Sequence, residues 1–565
     1  MRLCHQFRRA RVFAAVAAIL GFSASAFAQS GQLSLASALQ SAGAQAAPQL
    51  EPTGPVRRLS MEDAVRSGLE QNLGIRIQRL DPAIQDLAVA TARSLWTPNL
   101  TSSLARNSVS QPASSIVLPT NQTGTLATGV GMNQQLPWGG GGYVINWNNQ
   151  RTTTNNILST FSPQLQSTFN LAYSQPLVRN FSIDQIRDQV MLSQKARDMS
   201  DIQLQQVITG TTRNVRNAYW DLAYSIANLK AQQQSLELSQ QSLHDNEKRV
   251  EIGTMAPIDI VQAQAEVAAN EQGVIIAEAT IKTAQDNLRT LILDPSSQDF
   301  WTVSFDPSDA PAFAAQPVDV DAAVRNAISQ RTDLKSAKNT LDQSDINIKY
   351  FHNQILPDVN ANVSYGTFGI GGSALTPVDL STLGSGAAVP IRDVLSQRGY
   401  GSVLGDVFGS AYPQWSVGVQ IGYPIGRSVS EANLARARLQ YQQAQTQIKN
   451  LEMQVVMQVR QAGRNVQTNQ QRVRAAAASR ELQERKLEAE EKKLAAGMSS
   501  SFLVFQAQRD LSVARVTEIQ AISDYNKSLV DFDAVQLVPL NGVATGTFVT
   551  TAGTGSIQAP ITLRQ

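Results

Sequence analysis

The sequence predicts an internally duplicated α+β protein in which strands of a membrane β-barrel are continued by a long tube of polar α-helices. Three observations carry this. A unit of about 250 residues occurs twice along the 565-residue chain. Each unit holds segments that alternate apolar with small polar residues. Each also holds a stretch, residues 182–252 and 429–496, with no proline and a single interior glycine apart from the turn glycine that follows (Gly210, Gly463).

The N-terminus sets the compartment. Arg2, Arg8, Arg9 and Arg11 flank an apolar run over residues 12–22, and Ala26-Phe27-Ala28 supplies an A-x-A site. Residues 1–28 therefore read as a cleaved secretory signal. Its loss takes the net charge from +2 to −2 and removes Cys4, the only cysteine, so neither nucleic acid as a partner nor disulfides nor a thiolate metal site is expected. No later segment approaches 18 consecutive apolar residues, so an exported chain of this kind enters a membrane only as a β-barrel. Residues 29–56 and 541–565 are rich in Ala, Gly, Ser, Thr and Gln and read as flexible tails.

Between the tails the first repeat covers residues 57–300 and the second 301–540. Three anchors set the duplication. MEDAVRSGLEQNLGIR aligns with VDAAVRNAISQRTDLK at an offset of 259, sharing Ala64/Ala323, Val65/Val324, Arg66/Arg325 and Gln71/Gln330. Pro176 in YSQPL aligns with Pro424 in IGYPI at 248. EKRVEIGTMAPIDIVQAQ aligns with EKKLAAGMSSSFLVFQAQ at 244, with Gly253/Gly497 and both QAQ triplets identical.

Each repeat begins with a helix, over residues 60–94 and 319–354, that ends before Pro98 or Pro357 because the residue preceding proline avoids helical geometry. Strands follow. In WSVGVQIGYPI, Trp415, Val417, Val419, Ile421 and Tyr423 point one way while Ser416, Gly418, Gln420 and Gly422 point the other. VNANVSY and FNLAYS repeat this, giving about four strands per chain with one lipid-suited face and one polar face. An ordinary half-buried sheet alternates too; the export signal and the placement of Trp96, Trp138, Trp147 and Trp415 in strand-type segments favour the barrel. The insertion GVGMNQQLPWGGGGYVINWNNQ reads as a further strand pair around a glycine-rich turn, which either adds strands to the barrel or, the favoured of the two, stands outside it as an extracellular hairpin.

The proline-free stretches are long helices of roughly 100 Å at about 1.5 Å per residue. Shorter helices, 257–292 and 500–535, return along them after Gly253 and Gly497, the C-cap glycines of two hairpin tips, and Pro257 suits a first helical turn. End to end, helix 257–292 is expected to stack on 319–354, and 500–535 on 60–94 if the chain closes a ring. Runs such as AQQQSLELSQQSLHDNE have thin apolar stripes amid Gln, Asn, Ser and Ala, as a tube wet on both sides requires, though a coiled-coil stalk would share the pattern.

In their order and duplication, RLSMEDAVRSGLEQNLGIR, the SQPL and YPI strand exits and the two G-x(8)-QAQ tips resemble the TolC family of outer-membrane efflux proteins across nearly the whole mature chain. The resemblance implies a homotrimer. Three chains would share one β-barrel in the outer-membrane lipid of a Gram-negative bacterium and one α-helical barrel across the periplasm. It would serve as the exit duct of a tripartite efflux or type I secretion system, docking on a periplasmic adaptor and an inner-membrane transporter of RND, ABC or MFS type. The alternative is a non-channel periplasmic coiled-coil adaptor or stalk, which should lack paired amphipathic strands.

By the same resemblance the tips close the periplasmic end, through Gly253, Thr254, Pro257, Asp259 and Gln262 in the first and Gly497, Met498, Ser499, Phe502 and Gln506 in the second. Asp259 matches the family's aspartate that helps lock neighbouring hairpins. Ser499 stands where an arginine is expected, and Leu503 and Gln506 where acids are, which leaves Met498 and Phe502 packing as a substitute lock. Asp259 also suits a plain helix start. No catalytic, cofactor or metal site is expected: His244 and His352 stand alone in helices, and P-loop, HExxH and GxSxG motifs are missing.

Overall fold

The structure, a computed structural model, describes residues 55–112, 121–156, 158–309, 313–377, 392–426 and 428–540. The signal and nearly all of both tails lie outside the described residues. The first repeat runs β1 (Val56–Leu59), α1 (Met61–Gln71), α2 (Leu73–Ser94), β2 (Asn99–Gln111), β3 (Asn121–Gln135), β4 (Gly142–Thr154), β5 (Phe161–Pro176), α3 (Gln185–Glu251), α4 (Pro257–Ile292). After β6 (Ser304–Pro307), which pairs in parallel with β1, come α5 (Val320–Gln330), α6 (Thr332–Gln354), β7 (Asp358–Leu375), β8 (Val394–Arg398), α7 (Tyr400–Phe408), β9 (Pro413–Gly422), α8 (Val429–Ala495) and α9 (Ser501–Val535).

The long helices fall where proline and glycine allow them. α3 and α8 have 67 residues each, and α4 and α9 have 36 and 35. About half of their buried positions are small, among them Ala218, Ala223 and Ser225 on α3 and Ala462, Gly463 and Ala476 on α8, alternating with larger residues such as Tyr219, Leu222 and Val459. No helix of the described residues is long and apolar enough to cross a membrane.

Three expectations are corrected. The opening helix of each repeat is broken, at Asn72 and at Arg331, whose ψ angles of 123° and 131° are extended. Asn72 caps the second piece by accepting from the Ile75 N–H at 3.2 Å and donates to the Leu291 carbonyl at 3.1 Å. The stacking partners are also exchanged. α2 continues α4, joined by that Asn72 bond and by Arg76 on Asp294 at 2.7 Å, while α6 continues α9 through the Thr332 N–H on the Leu537 carbonyl at 2.9 Å. Each stacked pair therefore lies in one repeat and needs no ring closure.

The third correction concerns the inserted hairpin. It joins the sheet as β3 and β4, in an antiparallel order β2-β3-β4-β5-β7, with β8 and β9 both on the far edge of β7. β2 and β3 pair over 13 positions and so do β3 and β4, from Asn99↔Asn133 to Gln111↔Asn121 in the first case. The glycine-rich turn lies at the helix end of the sheet. Gln134 donates to the Trp96 carbonyl at 2.8 Å, Gln175 donates to the Gly139 carbonyl at 2.6 Å, and a Cβ on Gly140 (φ +67°) would sit 2.3 Å from the Asn180 carbonyl oxygen.

Alternation is continuous across the sheet. One register row reads Leu100, Met132, Ile145, Leu171, Tyr365, Trp415; the next, on the opposite face, reads Thr101, Gly131, Asn146, Asn170, Gly366, Gln414. α7 lies on the apolar face, where Val403 and Val407 pack on Gly369 and Gly371, and Phe408 meets Trp147 edge-on at 5.9 Å. Trp147 is thereby covered, while Trp138 marks the helix end, 65% exposed.

Candidate functional site: the helical tips and the channel wall

Both tips are built from the same hydrogen bonds. At the first, the Gly253 N–H donates to the Val250 carbonyl at 2.9 Å and the Thr254 N–H to Arg249 at 2.8 Å; at the second, Gly497 donates to Leu494 at 3.1 Å and Met498 to Lys493 at 2.8 Å. This six-residue closure needs a left-handed residue at its centre, and the two glycines have φ of 78° and 73°. A Cβ at either would meet nothing within 4 Å. Backbone conformation, not space, demands glycine.

The sequence-predicted tip residues divide into two groups. Pro257 opens α4, and Asp259 lies in its first turn with its N–H on the Ala256 carbonyl at 3.0 Å. Among the described residues the Asp259 carboxylate has no ion-pair partner in its own chain. Gln262, Met498, Phe502 and Gln506 are exposed, and the Thr254 hydroxyl turns back to donate to the Arg249 carbonyl. Ser499 spends its hydroxyl locally, donating to Glu490 at 2.8 Å; Lys493 first, and Ser499 after it, hold the Glu490 carboxyl below its usual range.

The two tips of one chain touch, through Ser501 on the Met255 sulfur at 3.7 Å. Higher up, the exposed Arg509 reaches the buried Glu266 at 2.6 Å and ties α9 to α4. Sequence reasoning missed this pair, although both residues follow the repeated QAQ triplets. It named Met498 and Phe502 but missed Ile252, Ile258 and Val261, which with them make an apolar skirt around the tips, 57–74% exposed. Apolar residues at the end of otherwise polar helices were the available signal.

At the other end, β2 and β9 are the free edges of the sheet, and every residue of both strands is exposed. Their backbone groups are unpaired on one side. The polar face is lined by Thr, Ser, Asn, Gln and Gly, and the apolar face carries aliphatic and aromatic side chains down to Tyr143 and Tyr173 near the helix end.

No curated protein matches the chain. Among solved structures it is similar to the CmeC outer membrane channel of Campylobacter jejuni, at 15% identity over 84% of this chain and 85% of that one, with a TM-score of 0.57. It is likewise similar to the outer membrane protein VceC of Vibrio cholerae (15%, 85% and 96%, 0.58) and to the open-state MtrE outer membrane channel of Neisseria gonorrhoeae (16%, 84% and 89%, 0.57). These likenesses establish the fold. The family model described as outer membrane efflux protein matches residues 67–292 and 323–535, one segment in each repeat and together well over half of the chain. The chain belongs to the outer membrane efflux protein family.

Proposed function

We propose that three copies of this chain close one outer-membrane barrel and one periplasmic helical tube. The assembly is the passive exit duct of a tripartite efflux or secretion system, a transport protein without an enzymatic step. The observation that carries the trimer is the pair of free edges on β2 and β9. Unpaired backbone groups in hydrocarbon each cost several kcal/mol, so the sheet must meet other sheets edge to edge. A coiled-coil adaptor or stalk would have no use for a sheet with one face that is apolar over its half nearer the helices.

The tips engage a periplasmic adaptor, which links the duct to an inner-membrane transporter of the RND, ABC or MFS type. The exposed apolar skirt and the two matching glycine turns support this. Gly253, Thr254, Pro257, Asp259 and Gln262, with Gly497, Met498, Ser499, Phe502 and Gln506, form the closing end. Native mass measurement of the full chain in mild detergent tests the assembly: a trimer is expected, and a stable monomer would overturn the reading.

A further inference from the structure

We infer that β3 and β4 are membrane-spanning strands of the duct wall, so that each chain gives six strands to the barrel, and that the resulting wide, uncharged bore is an exit for bulky polar cargo of either charge sign. This rests on the trimeric reading above.

The first argument is length and register. A loop hairpin would pair with the barrel only near its outer end, whereas β3 and β4 run the full height of the sheet and turn back at the helix end, tied to Trp96, Gln175 and Asn180. The second is pleat. On β3, Leu126, Val130 and Met132 share the apolar face with Thr128, while Thr125, Ala127, Gly129 and Gly131 share the polar one; β4 puts Tyr143, Ile145 and Trp147, with an Asn149 that accepts from Ser167 at 2.6 Å, against Val144, Asn146, Asn148 and Gln150. Both match their neighbours without a slip, which a hairpin standing in water would have no reason to do.

The apolar band also ends at one height. Arg106 and Arg151 flank Leu126 in a single register row, and beyond them the same face carries Ser108, Gly124 and Thr153. Arginine is costly at mid-bilayer and cheap at its rim.

The third argument is bore. Strands about 4.8 Å apart and tilted by about 40° give a wall diameter of roughly 36 Å for eighteen strands, against roughly 24 Å for twelve. The polar face of the six long strands carries no Lys, Arg or Glu, and its one acid, Asp358, sits at the helix end beside Arg179 at 4.0 Å. A bore lined by amides and hydroxyls has no ring of fixed charge with which to discriminate among ions. Selection then belongs to the tips and to the pump.

The test uses the full chain, whose only cysteine lies in the segment read as signal. Single substitutions Leu126→Cys and Ile145→Cys (apolar face), Ala127→Cys and Asn146→Cys (polar face) are made, and Asn170→Cys on β5 reports the bore. A charged maleimide applied outside cells should label Ala127→Cys and Asn146→Cys as fast as Asn170→Cys, and Leu126→Cys and Ile145→Cys at least tenfold more slowly. Fluorophores at the latter pair should be quenched by brominated lipid in reconstituted vesicles. Equal labelling on both faces with no lipid quenching places the hairpin in water and overturns the inference. Deleting residues 121–154 should leave a trimer in which Asn170→Cys loses reaction with the larger members of a graded maleimide-polyethylene glycol series. An unchanged size limit also overturns it, whereas loss of the trimer in the intact chain would instead sink the assembly proposed above.

Discussion

Arg331 is the largest wholly buried side chain among the described residues, 1% exposed, and it fixes the break between α5 and α6. Its guanidinium donates to the Asp333 carboxylate at 3.0 Å, to the Val535 carbonyl at 3.4 Å and to Gln458 on α8. Breaking one half of such a pair strands the other charge, at a cost of about 3–5 kcal/mol. Arg331→Ala should therefore lower the midpoint of thermal helix melting markedly, and Arg331→Ala combined with Asp333→Ala should lower it less than the single change does. In the first repeat Asn72 does the same work without charge, and nothing in either local sequence distinguishes a broken helix from an intact one, so neither residue could be read in advance.

Asp188, in the first turn of α3, is a second residue-scale case. Burial and then the neighbouring Asp184 carboxylate push it up to about 6 from an ordinary 3.8. One of its oxygens is buried with no hydrogen-bond partner. A carboxyl raised on folding favours the native state while both forms are protonated, and that advantage is lost as pH rises from about 4 through 6. The shift corresponds to about 3 kcal/mol at most, and to roughly 1 kcal/mol once screening of its exposed part is allowed for. Asp188→Asn should thus raise the melting midpoint at pH 7.5 and leave it nearly unchanged at pH 4; a gain equal at both values would refute the burial account.

Helices, strands and turns differ in how much of their arrangement local sequence holds. α4 was legible to the residue, because Pro257 opens it, and the two tip glycines announced their left-handed turns. Gly497→Ala should cost about 1–2 kcal/mol locally, leaving the trimer intact. A three-residue insertion after Gly253 should abolish export while trimer mass is unchanged, since it alters tip geometry far from the barrel. Normal export by that variant, measured as cargo in the medium, would remove the tips from the docking surface. The placement of β3 and β4 was not legible in the same way. Alternation tells which residues share a face but not where a hairpin stands, and only full-length pairing with β2 and β5 decides that. End-to-end stacking was hidden too, because it rests on single long-range bonds such as Asn72 to Leu291.

At the scale of the whole molecule, three unpaired Asp259 carboxylates brought near one axis would attract cations within a Debye length of about 10 Å at 0.1 M salt. Asp259→Asn should reduce cation preference and multivalent-cation block in planar bilayers. Identical reversal potentials for the variant and the unmodified channel would leave Asp259 as a helix start only. The uncharged polar face of the sheet makes this readout sharp, because the barrel adds little selectivity of its own.

The stacking of α2 on α4 and of α6 on α9 has a further consequence, for symmetry. Each repeat completes its own long helix and its own stacked partner, so three chains would present a helical tube with six nearly equal sectors, each ending in the same glycine turn. The sheet does not share this: four of its strands come from the first repeat, β2 to β5, and the second supplies β7 with β9 and the short β8 on its far edge. A partner at the tips thus meets an approximately sixfold ring, while the outer surface keeps only a threefold axis. The mismatch has to be absorbed between sheet and helices, in the short segments after Leu95, Pro176, Ile355 and Gly422.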